Sequence, residues 1–180
     1  MSNKPSAPIG IYDSGVGGLT VLRAVRSLLP DEDLIYFADQ ANVPYGNRSL
    51  NEVRGLAEGA ASFFKSQGAK LIVIACNTAS AAALHWLRKQ YPGVPFVGME
   101  PAVKPAAERT RSRHVGVMAT QATFQGELFA SLISRFGADV TVHTQVCPAL
   151  VPLVEAGELA TDRARAAVAS YVTPLIDAGV

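Results

Sequence analysis

Residues able to do chemistry cluster at a few short turns of this 180-residue sequence. The apolar run LIVIA (71–75) leads straight into Cys76-Asn77-Thr78: a thiol, an amide and a hydroxyl at the start of a helical pattern. A free cysteine is often a small buried hydrophobe. A thiol at a helix N-terminus is also the setting that lowers its pKa from about 8.5 towards neutrality, making it a base or nucleophile. Asn77 and Thr78 argue for the second reading, because both can hydrogen-bond a carboxylate or ammonium group. A second cluster, Asp13-Ser14-Gly15-Val16-Gly17-Gly18, follows the run IGIY (9–12). It reads either as an anion-binding turn at a helix N-terminus or as a tight turn that needs glycine for backbone freedom. A third, Asp39 and Pro44-Tyr45-Gly46, follows LIYFA (34–38). Cys147 also ends a strand-like run, but Pro148, Ala149 and Leu150 follow it and offer no polar partner.

Other chemistries fit less well. A dinucleotide site is suggested by the glycine turn with Asp39 ending the next strand. However, GVGGLT (15–20) lacks the third glycine or alanine, and Asp13 would face the pyrophosphate. Pyridoxal chemistry needs a Schiff-base lysine, and none of Lys4, Lys65, Lys70, Lys89 and Lys104 follows a strand. His85 reads as a helix residue, His114 as the start of a strand and His143 as a strand residue; no two share metal-ligand spacing on one element. No metal and no cofactor are expected.

The elements that must position these groups are legible. Apolar runs at 9–12, 34–38, 70–75, 95–99, 114–119 and 139–146 alternate with helical patterns. Several runs are continuously apolar, as strands covered on both faces are. Leu22, Val25 and Leu29 share one helix face; Val53, Leu56, Ala60, Phe63 and Phe64 form another. That second helix opens on a capping box, Ser49 with Glu52, and closes on Gly68. Repeated βα units predict an α/β fold in which helices sandwich a parallel sheet, and so bring the strand ends to one rim where ligands bind. Two prolines in MEPAVKP (99–105) mark a soft boundary, so a first lobe at 1–98 and a second at 99–180 are expected. A last helix spans 161–179, with Thr161 as N-cap, Pro174 as a kink and Gly179 as its stop. By this rhythm Val180 opens a further strand, and the expectation is that a longer protein continues past it.

Composition narrows the class. Apolar residues make up 49% and charged residues 17%, with a formal net charge of +1, so no basic footprint for nucleic acid is visible. No apolar run approaches the roughly 20 residues that span a bilayer. MSNKPSAPIG lacks the apolar core of a signal peptide. Two distant cysteines make no disulfide framework, and a reducing, cytoplasmic setting is expected.

The motifs DSGVGG (13–18), PYG (44–46) and ACNTAS (75–80), in this order and spacing, resemble the glutamate racemases of the aspartate/glutamate racemase superfamily. GVMATQAT (116–123) and CPALVPLVEAG (147–157) extend the likeness over essentially the whole sequence from Ile9. The resemblance implies a two-lobed racemase architecture and a cofactor-independent isomerase. Such an enzyme interconverts L- and D-glutamate by thiol proton transfer on opposite faces of the substrate and supplies D-glutamate for peptidoglycan. It implies Cys76 as one of the two catalytic cysteines, Asp13 as the carboxylate assisting it, and Glu155 as a carboxylate assisting the other. Ser14, Tyr45, Gly46, Asn77 and Thr78 match substrate-contacting positions, with backbone N–H groups near Gly15–Gly18 and Thr78 available to the carbanion. Thr120 and Thr123 match a segment lining the cleft. A homodimer is a family possibility.

One departure matters. The family's second base belongs to a Cys-Thr-His motif, and none occurs in these 180 residues. Cys147 is no substitute on this reading, since CPALVPLVE already matches another family segment. The C-terminal part of the architecture is therefore expected to be missing. Alternatives are an aspartate or hydantoin racemase, a glutamate-binding fragment without turnover, and a nucleotide-binding α/β protein.

Overall fold

The structure is a computed structural model and describes residues 7–180. The first half is a four-stranded parallel sheet of order β2-β1-β3-β4, from β1 (Ile9–Asp13), β2 (Leu34–Ala38), β3 (Leu71–Ile74) and β4 (Phe96–Gly98). Ile9 registers with Leu34 on one side and Leu71 on the other, so β1 is central, and all five of its residues are buried. The strand at one edge, β2, is only half-buried throughout, so its apolar run does not mean burial on both faces.

Three helices flank this sheet: α1 (Leu19–Leu28), α2 (Leu50–Ser66) and α3 (Asn77–Gln90). Val53, Ala57, Phe64 and Leu87 of α2 and α3 form the main core with Tyr12, Ile72 and Ile74. On the other face, Val21, Leu22 and Val25 of α1 pack on Ile9, Ile11 and Val73. Both predicted caps of α2 are present. Ser49 accepts from the Glu52 N–H while the Glu52 carboxylate accepts from the Ser49 N–H. Gly68 takes φ of +72°, a backbone that glycine adopts without Cβ strain.

The second half carries a two-stranded parallel sheet, β5 (His114–Ala119) with β6 (Thr141–Val146). Val115 and Val117 join Val103 of α4 (Val103–Arg109) and Phe129 and Leu132 of α6 (Glu127–Phe136) in a separate core. The short α5 (Gln121–Gln125) and α6 dock on α3. There Gly126 lies against Ala81, where a Cβ would come within 2.6 Å. Two helices finish the chain: α7 (Leu150–Glu155) and α8 (Asp162–Asp177). Thr161 caps α8 as expected, and the helix runs on through Pro174 to a Gly179 at φ +85°. No helix of the described residues is long and apolar enough to cross a membrane.

Candidate active site

The carboxyl ends of β1, β3 and β5 and the helix starts behind them open on one cleft of about 660 Å³. Asp13, Ser14, Tyr45, Gly46, Cys76, Asn77 and Thr78 line one wall, and Thr120, Thr123, Cys147 and Glu155 the other. The residues of the three strand-end turns that carry Asp13, Tyr45 and Cys76 therefore reach the same cavity, while Asp39 stands behind it as the partner of Tyr45. This follows from parallel topology: each βα unit places its loop at the same edge of its sheet.

Cys76 is buried at the N-cap of α3. Its Sγ accepts from the Ala79 N–H at 3.4 Å and lies 3.5 Å from Ser14 Oγ. The helix start was expected to lower this thiol. Instead burial pushes it up, reinforced by the Asp13 carboxylate, and the Ala79 N–H and Ser14 bonds only partly offset that. Burial also raises Cys147, whose Sγ donates to the Gln145 carbonyl at 3.3 Å.

Asp13, itself buried, accepts from the Gly18 N–H at 2.8 Å. Gly18 has to be glycine, because a Cβ there would stand 2.6 Å from the Asp13 Cβ. Glu155, the last residue of α7, accepts from the Val16 N–H at 3.0 and 3.3 Å. The amides of Val16 and Gly18, two of the N–H groups expected to be available to a carbanion, are thus bonded to the protein's own carboxylates.

Tyr45 is almost fully buried, and its hydroxyl donates to Asp39 Oδ2 at 2.6 Å and meets the Tyr12 hydroxyl. Burial and these two partners push its pKa far above the ordinary phenol value. Its role at the rim is to hold the turn bearing Gly46. That glycine admits Thr120, whose Cγ2 would be 2.8 Å from an added Cβ. Thr78, Thr120 and Thr123 form a closed triangle of hydroxyls at 2.9, 3.2 and 2.9 Å, bridging the ends of β3 and β5. Gln40 is the residue that the sequence reading missed: its Nε2 donates to Glu155 Oε2 at 2.8 Å. No local pattern marks it, since its partner lies 115 residues away. Away from the cleft, His114 Nδ1 and His143 Nε2 are 2.8 Å apart on neighbouring strands. No group of three or more candidate metal ligands occurs among the described residues.

A two-sheet α/β scaffold thus sets a buried cysteine and a carboxylate on one cleft, and the comparisons show which family this scaffold belongs to. The family model described as Asp/Glu/Hydantoin racemase matches residues 19–180. A glutamate racemase from Roseiflexus sp. is 55% identical over 179 residues, 99% of this chain but 66% of that protein. A Bacillus anthracis glutamate racemase structure superposes with a TM-score of 0.84 at 33% identity, covering 96% of this chain and 65% of that one. One from Francisella tularensis in complex with D-glutamate superposes with a TM-score of 0.81 at 32% identity, covering 94% and 64%. The chain belongs to the Asp/Glu/hydantoin racemase family. It spans about two thirds of the length of the relatives it matches.

Proposed function

We propose that this chain carries one acid/base half of a cofactor-independent glutamate racemase, with Cys76 removing and returning the α-proton of glutamate. The observation that supports this most directly is the placement of Cys76 at the N-terminus of α3, within a cleft also lined by Asp13, Ser14, Asn77 and Thr78. Ser14, Asn77 and Thr78 offer hydroxyls and an amide to the substrate's carboxylates. Asp13 suits the α-ammonium. An ammonium entering beside Asp13 offsets the upward push that this carboxylate adds to that of burial, so bound substrate favours loss of the thiol proton to water. The Ala79 and Ser14 contacts already point at the sulfur and favour its anion. Tyr45 and Gly46 shape the rim.

Glutamate is the substrate favoured by the names of the relatives. The wider reading places the reaction in the cytoplasm, supplying D-glutamate to peptidoglycan, with lobes at 1–98 and 99–180. The test is uptake of solvent deuterium at Cα of D- and L-glutamate, with Cys76→Ala as control. Exchange of one enantiomer without inversion, lost in the variant, is the expected result. Exchange with inversion that is lost in Cys147→Ala would assign the opposite face to that second cleft cysteine. Exchange of aspartate but not glutamate would overturn the substrate.

A further inference from the structure

We propose that Glu155 is a latch between the two lobes, a positioning residue that holds the α7 wall of the cleft against the glycine turn of the β1–α1 loop. Three separate elements meet at its carboxylate. Oε1 and Oε2 share the Val16 N–H, and Oε2 also accepts from Gln40, which follows β2. Gly15 has no side chain exactly where the carboxylate sits: an added Cβ would lie 2.0 Å from Oε1. The β1–α1 loop is therefore shaped to receive Glu155.

The electrostatics agree. Helix α1 has no acidic residue in its first turn, and its N-cap, Gly18, supplies no side-chain bond. Glu155 adds a second carboxylate at that positive helix end, beside Asp13 on the Gly18 N–H. Its bonds to Val16 and Gln40 are charge-assisted and span 139 and 115 residues. They cross from the second sheet's helices to the first sheet's loops, as the threonine triangle does elsewhere along the cleft. Val151, Val154 and Glu155 line the cavity that Asp13 and Cys76 face. The latch thus sets the width of the cleft at the thiol.

The proposal shares its cleft with the racemase reading, but it is decided at an amide, so the two can fail separately. Hydrogen exchange of the Val16 amide would be followed by NMR on the full chain, with Gly18 as internal control because its N–H is bonded within its own lobe to Asp13. Glu155→Ala is expected to speed Val16 exchange about tenfold or more while Gly18 stays within about twofold. Glu155→Gln restores protection, since its amide oxygen can still accept from Val16. Gln40→Glu, an exposed change that sets two carboxylates together, also speeds Val16. In that variant the half-saturating glutamate concentration for Cα exchange rises. Val16 exchange unmoved by Glu155→Ala would overturn the latch. So would equal acceleration at Val16 and Gly18, which would mean general loosening. A chain with no Cα exchange but the expected Val16 response would sink the racemase reading and leave the latch standing.

Discussion

Replacing Gly126 by alanine tests whether the α5–α6 corner is held at a fixed spacing from α3. The backbone there has φ −73° and ψ 146°, which alanine adopts freely, so the effect is purely steric. The new Cβ would stand 2.6 Å from both the Cβ and the carbonyl oxygen of Ala81 and 2.8 Å from its carbonyl carbon. Two of those three atoms are α3 backbone and cannot swing away. Overpacking against a rigid neighbour costs about 1–3 kcal/mol. Loss of glycine's freedom in the unfolded chain returns about 0.4–1 kcal/mol. The net is about 1–2 kcal/mol of destabilisation, or a Tm lower by about 2–8 °C for a chain of this size. Because α3 opens at Cys76, relief of the clash by moving α3 also displaces the thiol, and Cα exchange falls with stability. Thermal and urea unfolding would be compared with Gly59→Ala, where nothing lies within 4 Å of the added Cβ on the exposed face of α2. That control is expected to gain about 0.5–1 kcal/mol. A Gly126→Ala protein as stable as the parent would refute the claim of close packing between Gly126 and α3.

Three further outcomes are expected. Asp13→Asn removes the like charge beside Cys76, so iodoacetamide should alkylate the protein faster at pH 8; slower alkylation would mean that Asp13 does not hold the thiol protonated. The thiols of Cys76 and Cys147 and the phenols of Tyr12, Tyr36 and Tyr45 all sit above their ordinary pKa values of 9.0 and 10.0. The folded state then keeps protons that the unfolded chain releases, so stability is full below pH 9 and falls as pH rises beyond it; urea midpoints from pH 8 to 11 should show the decline, with a shallower slope above pH 10 in Tyr45→Phe. Ser49→Ala removes half of the capping box on α2 and should cost about 1 kcal/mol in a urea titration.

Local signals made most of the fold readable. The apolar runs at 34–38 and 114–119 coincide with β2 and β5. The Ser49–Glu52 box and Gly68 bracket α2 because caps are short-range chemistry. What failed was whatever depends on surroundings. A helix start predicts a lowered thiol, but burial and Asp13 raise Cys76, and neither is visible in the residues around position 76. The glycine turn looks open to a ligand until Glu155 is found on it.

The sequence by itself determined which residue types could do chemistry, that strands would carry them to one rim, and where α2 and α8 begin and end. Those are properties of residue type and of periods of two and 3.6 along the chain. Only the tertiary structure decided that Thr78 meets Thr120 and Thr123, that Tyr45 is committed to Asp39, and that Gln40 and Val16 share Glu155. Partners up to 139 residues apart leave no mark on local pattern. The burial that raises the thiol exists only in the folded chain.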